Sequence, residues 1–141
     1  VSAIEDLWSE FRLPIRNALH FRDGESYDVA IDPGSPSGLR VLDSFDLADY
    51  VASHPEWTSE VDGMASVERE DGDLLWAGDG SYGSEGFVAR LRSDRTAVWA
   101  IFFTDSNPFT EIRTSGPHAT FRSTSGVRIT LNVDDPRAGL R

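Results

Sequence analysis

The hexapeptide EREDGD, residues 68–73, gathers the carboxylates Glu68, Glu70, Asp71 and Asp73 around one arginine and a glycine. Carboxylate oxygens at this density suit a hard cation such as calcium. A calcium loop, however, needs ligands at alternating positions, then glycine, then a distal glutamate. Leu75 stands where a third ligand belongs, so these residues read as a solvated hairpin tip. The Gly-rich stretch AGDGSYGSEG, residues 77–86, has the composition of a phosphate loop without its Gly-Lys-Ser/Thr ending, and its surroundings are acidic. It reads as a mobile hairpin loop.

Nucleophilic chemistry fares no better. His20, His54 and His118 fall in different segments and show no metal-ligand spacing. His118, Asp105 and one of many serines would supply the members of a hydrolytic triad, yet no Gly-x-Ser-x-Gly elbow presents a nucleophile. Carboxylate pairs for glycoside chemistry can be drawn from any acidic chain and decide nothing. The expectation is a chain that is not an enzyme, with no cofactor and no metal. A hydrolase lacking a recognisable motif is the remotest alternative. Trp8, Trp57, Trp76 and Trp99 are candidates for a ligand pocket, but large aromatics facing packed elements belong first to a core.

The elements that must position these side chains fall into two textures. Ser2 and Glu5 form a capping box, after which Ile4, Leu7, Trp8 and Phe11 recur at helical spacing, predicting an amphipathic helix over 3–12. Pro14 suits the first turn of a second short helix carrying Ile15, Ala18 and Leu19, closed by Gly24. SYDVAI and LRVL read as strands. Asp43 or Ser44 caps a helix bearing Leu47, Tyr50 and Val51 that ends at His54–Pro55, followed by a turn through Trp57 and Val61.

From Ser66 onward, turn signals recur at the spacing of an antiparallel meander. In GVRITLNV, Val127, Ile129, Leu131 and Val133 point inward; in GFVARLR, Phe87, Ala89 and Leu91 share a face. Residues 97–103, AVWAIFF, are apolar on both faces, which demands a central strand covered on both sides. Val98, Ala100 and Phe102 point one way and Trp99, Ile101 and Phe103 the other. The early helices can cover one face; the second needs sheet curvature, a ligand or a second subunit, which leaves room for a homodimer. TDSNPF is the exit turn, with Asp105 or Asn107 bonding local backbone. The predicted fold is a single α+β domain over 1–141: N-terminal helices packed on a meandering antiparallel sheet of about five or six strands.

Charge separates the same two halves. The chain carries a formal net charge of −11, and residues 43–85 hold twelve acids against Arg69 alone. A phosphate backbone would be repelled, so nucleic acid is not expected as a partner. No apolar run approaches the roughly 20 residues that span a bilayer, and the acidic amphipathic N-terminus is unlike a signal peptide. Arginine supplies all thirteen basic residues, and cysteine, lysine and glutamine are absent. That usage fits a GC-rich bacterial genome and a reducing, cytoplasmic setting. The sheet arginines Arg90, Arg92, Arg113, Arg122 and Arg128 are expected to pair with the acidic segment or stand solvated.

Residues 85–109, EGFVARLRSDRTAVWAIFFTDSNPF, resemble a pattern in small bacterial immunity proteins, the cytoplasmic antidotes of polymorphic toxins. The pattern is a glycine-led strand, a short turn, an aromatic-rich strand with a central Trp, and an Asn-Pro-Phe turn, and it covers less than a fifth of the chain. The resemblance implies non-catalytic binding of a protein. Charge adds independently that the partner is basic, nuclease-like, and met by carboxylates standing where phosphates would bind. The expected contacts are Asp46, Asp49, Glu56, Glu60, Asp62, Glu68, Glu70, Asp71 and Asp73, with Trp57 or Tyr82 as an aromatic anchor. A small-ligand-binding or regulatory domain is the alternative.

Overall fold

The computed structural model describes residues 2–138. Ser2 caps α1 (Ala3–Ser9): its hydroxyl accepts from the Glu5 N–H at 3.3 Å while its own N–H donates to Glu5 Oε1 at 3.1 Å. The helix stops sooner than its apolar spacing predicts. Glu10 is the C-cap, and Phe11 follows with φ 53°, the left-handed conformation that usually terminates a helix at glycine. Phe11 thus leaves the helix face and is 44% exposed.

The short helix expected to start at Pro14 does not form. Arg12–Pro14 is a short strand, β1, and Ala18–Phe21 is β2. Ala18 and His20 face one side of the sheet, Leu19 the other, and backbone pairing with two neighbouring strands overrides the weak helical spacing. β3 (Ser26–Ile31) and β4 (Leu39–Phe45) follow. Because Phe45 stays paired with Ser26, the next helix, α2 (Leu47–Ser53), starts later than predicted. Asp46 caps it, accepting from the Asp49 N–H at 3.1 Å, in place of Asp43 or Ser44. The helices are therefore not all at the N-terminus. The segment expected to turn through Trp57 becomes β5 (Thr58–Glu60), which pairs antiparallel with β1.

The strands β6 (Asp62–Glu68), β7 (Leu74–Asp79), β8 (Gly86–Leu91) and β9 (Ala97–Phe103) form a meander. It joins the β2–β3–β4 meander through an antiparallel β2–β9 pair, giving a seven-stranded sheet in the order β4-β3-β2-β9-β8-β7-β6. This sheet is larger than predicted. The last strands leave it: β10 (Phe109–Ser115), β11 (His118–Ser123) and β12 (Arg128–Asn132) form a separate three-stranded sheet. The chain reverses between them through Ser106, Asn107 and Pro108. Asn107 has φ 63° and donates its N–H to the Ser84 carbonyl at 2.9 Å, while the buried Ser106 hydroxyl bonds the Asn107 carbonyl at 2.8 Å.

β9 is the fourth of seven strands, and both faces are covered by this chain itself. On one side Ala100 and Phe102 pack with Ile4 and Trp8 of α1, Leu13 of β1 and Leu47 of α2. On the other, Trp99, Ile101 and Phe103 pack with Phe109, Phe121, Ile129 and Leu131 of the second sheet. No second subunit or ligand is needed to cover that face, which removes the reason given for a homodimer. The inward set Ile129, Leu131 and Val133 is buried as the alternation predicts, and so are Phe87, Ala89 and Leu91.

Candidate functional site

The acidic segment reaches the surface as three groups. The first surrounds α2. Asp46 caps the helix, and Asp49 and Glu56 are exposed, with no ion pair to any described residue. Between them runs an aromatic ladder. The Tyr50 and His54 rings lie 4.8 Å apart, and the His54 and Trp57 rings 4.4 Å apart. His54 Nδ1 donates to the Tyr50 carbonyl at 3.2 Å, fixing the imidazole in the stack. The foot of the ladder is a cation: Arg16 lies 3.8 Å over Phe45 and 4.8 Å from the Tyr50 centroid, while Asp28 accepts two of its N–H bonds at 2.7 and 3.0 Å. At the top, Trp57 is 50% exposed.

The second group lies where β5 passes into β6. Glu60 pairs with Arg12 at 3.2 Å. Asp62 stands opposite Asp79 across the β6–β7 ladder, a like-charge pair that no cation among the described residues bridges. Partial burial, with the charge of Asp62 second, pushes the Asp79 carboxyl above the usual aspartate range. The neighbouring loop is pinned rather than mobile. Glu85 is 3% exposed; its carboxylate accepts from the Ser59 hydroxyl at 2.7 Å and the Tyr82 N–H at 3.3 Å. The Ser81 N–H then donates to Ser59 Oγ at 2.8 Å. Tyr82, 65% exposed, stands on that braced loop.

The third group is the β6–β7 hairpin tip. Glu68 and Glu70 are exposed, but Asp71 and Asp73 are held from within. Arg90, whose side chain is only 12% exposed, reaches Asp73 at 2.9 Å, Asp71 at 3.1 Å and Asp134 at 2.8 Å, and donates to the Val133 carbonyl at 3.0 Å. The seven residues of β6 separate this tip from Asp62 by roughly 20 Å. The tip carboxylates therefore stand a strand's length from Asp62, and Arg90 takes up Asp71 and Asp73, whereas Asp46, Asp49, Glu56 and Trp57 lie along and just after α2 and Glu60 ends the β5 strand that follows them.

Trp76 was among the candidates for a ligand pocket, but Phe11 was indistinguishable from a core aromatic and Asp79 from a turn residue. In the fold Phe11, Trp76, Asp62 and Asp79 border an open groove of about 640 Å³, with Glu10 and Glu60 on its rim. A cavity of about 380 Å³ lies on the other side of Phe11, floored by Ile4, Trp8 and Ala97. The triad members stay apart: His118 opens β11 at the far end of β10 from Asp105, a strand length of roughly 20 Å. Among the described residues no three potential ligands converge on a metal position, and no helix is long and apolar enough to cross a membrane. Neither a family model, a curated protein nor a solved structure matches the chain.

Proposed function

We propose that this chain is a non-catalytic protein-binding domain whose partner is basic, an immunity protein that occupies a nuclease-like toxin. One observation carries the reading: Trp57 is half exposed at the top of the Tyr50–His54 ladder next to Glu56, and along the helix below it Asp46 and Asp49 likewise have no arginine partner among the described residues. A large aromatic braced from beneath loses little freedom on binding, and these carboxylates favour encounter with a cationic surface.

The test uses the protein encoded by the gene adjacent to this one, which the reading requires to be basic. Calorimetry should show a tight one-to-one complex, and co-expression should relieve that protein's toxicity. Trp57→Ala should weaken the complex by about 30-fold, the loss expected of an aromatic hot spot worth about 2 kcal/mol. Absence of a complex, or a complex indifferent to Trp57→Ala and to D46N/D49N/E56Q, would overturn the reading.

The second reading, a small-ligand domain, is favoured by the cavity of about 380 Å³ beneath α1. It is of the size small-molecule sites need and largely apolar. It requires that Trp8 fluorescence respond to an apolar metabolite and that filling the cavity by Ala97→Leu abolish the response.

A further inference from the structure

The outer face of the second sheet carries charge of the opposite sign. Ile112, Phe121 and Ile129 stand in one cross-strand row and pack into the core. Alternation turns the two flanking rows outward: Glu111, Arg122 and Arg128 in one, Arg113, Thr120 and Thr130 in the other. Arg113, Arg122 and Arg128 are exposed and form no ion pair with any described residue. Among the described residues of this face Glu111 is the only carboxylate. Arg122 stands directly opposite Arg128, a like-charge arrangement that weakens a strand pair. The chain has 24 acids for its 13 arginines, yet none is brought here to relieve that pair.

This sheet covers the seven-stranded sheet on the side of Trp99, Ile101 and Phe103, while α2 lies on the side of Phe102. The arginine face and the α2 carboxylates are thus the two outer surfaces of one stack. Two packed sheets, about 10 Å apart, lie between them, so they do not meet within a molecule. We propose that they meet between molecules: the arginine face of one copy seats the α2 surface of a second. Arg113, Arg122 and Arg128 lie against Asp46, Asp49 and Glu56, with one guanidinium plane on Trp57. Both surfaces lack partners of their own, and their signs match. The half-exposed indole offers the flat ring on which arginine, unlike lysine, stacks. Nucleic acid suits the arginine face less well, because its outward rows hold no aromatic ring for a base to stack on. The net charge of −11 on each copy opposes approach, but at physiological salt it is screened beyond about 8 Å, which leaves the decision to the pairs in contact. The contact needs the α2 surface but no toxin, so it and the immunity reading can fail separately.

Sedimentation equilibrium of the unaltered protein at about 150 mM salt tests this. The weight-average mass should rise with concentration past that of two chains, because a head-to-tail contact leaves a free face at each end. In about 1 M salt it should return to that of one chain. Three exposed ion pairs at their usual strength amount to about tenfold in affinity. R113Q/R122Q/R128Q removes a like-charge pair, so it should fold, and it should weaken association by about that factor. D46N/D49N/E56Q, in which Asn keeps the helix cap, should do the same. R113E/R122E/R128E and D49R/E56R should each be monomeric alone and associate when mixed. A labelled oligothymidylate should not bind. A mass that stays at one chain, a plateau at two chains, association indifferent to the arginine variant, or oligonucleotide binding that this variant abolishes would each overturn the proposal.

Discussion

His20 is the residue whose chemistry departs furthest from its ordinary state. It is fully buried on β2, with Nδ1 2.8 Å from the Ser26 hydroxyl and Nε2 without a partner. Burial, reinforced by the nearby Arg16 charge, lowers its pKa from 6.5 to about 3. The imidazole is neutral in the fold, whereas the unfolded chain takes up its proton below pH 6.5. Its contribution to stability is therefore complete above about pH 6.5 and is lost as the pH falls from there toward 3, by at most about 1.4 kcal/mol per unit. Urea unfolding at pH 7 and pH 5 should show this loss, and His20→Leu should flatten it. An identical pH slope in the variant would show that His20 is not responsible. Arg90 gives a second prediction at this scale: Arg90→Met strands Asp71, Asp73 and Asp134 together and should cost about 2–3 kcal/mol in the same unfolding experiment. A loss under about 0.5 kcal/mol would reduce the fork to a surface contact. The role of His20 was not visible in the sequence, whereas Arg90 was expected to pair with the acidic segment, as it does with Asp71 and Asp73. An alternating strand shows that Arg90 faces away from Phe87 and Leu91, but not that a turn from the far end of the chain brings Asp134 to it.

Elements were legible where local chemistry and tertiary pairing agree. SYDVAI is β3 over the predicted residues, and the capping box at Ser2 starts α1 where the spacing places it. They were illegible where pairing competes with propensity. Ile15, Ala18 and Leu19 have helical spacing, but β9 needs a neighbour on its free edge, and Ala18–Phe21 supplies it. The 80–85 loop is a similar case, because nothing in its glycines announces that Glu85 turns inward. That turn is testable. Glu85→Gln keeps an oxygen to accept from Ser59 and Tyr82 and should alter stability by less than about 1 kcal/mol. Glu85→Ala leaves those donors unpaired in a buried space and should cost about 2 kcal/mol or more. Equal effects of the two, read by thermal unfolding, would show that volume rather than hydrogen bonding fixes the loop.

Across the whole molecule, three layers stack on one idea that was readable in advance, that a strand apolar on both sides is central and covered twice. What the sequence could not show was the source of the second cover. Residues 109–132 have the same alternation as the strands before them, so nothing local distinguishes strands that extend a sheet from strands that fold over it. The charge map carries the same lesson. Twelve acids between residues 43 and 85 promise one negative surface, yet the path from α2 to the β6–β7 tip sets part of them a strand's length away and gives two of them to Arg90. Docking by the α2–β5 region thus requires that its carboxylates, and not those of the tip, meet the partner. The salt dependence of the proposed complex with the protein encoded by the adjacent gene measures this most directly. Between about 50 and 300 mM salt, D46N/D49N/E56Q should flatten the fall in affinity markedly, and E68Q/E70Q should leave the slope of the unaltered protein. Equal slopes in all three proteins, or a flattening confined to the tip variant, would contradict the assignment of the docking surface to α2 and Trp57.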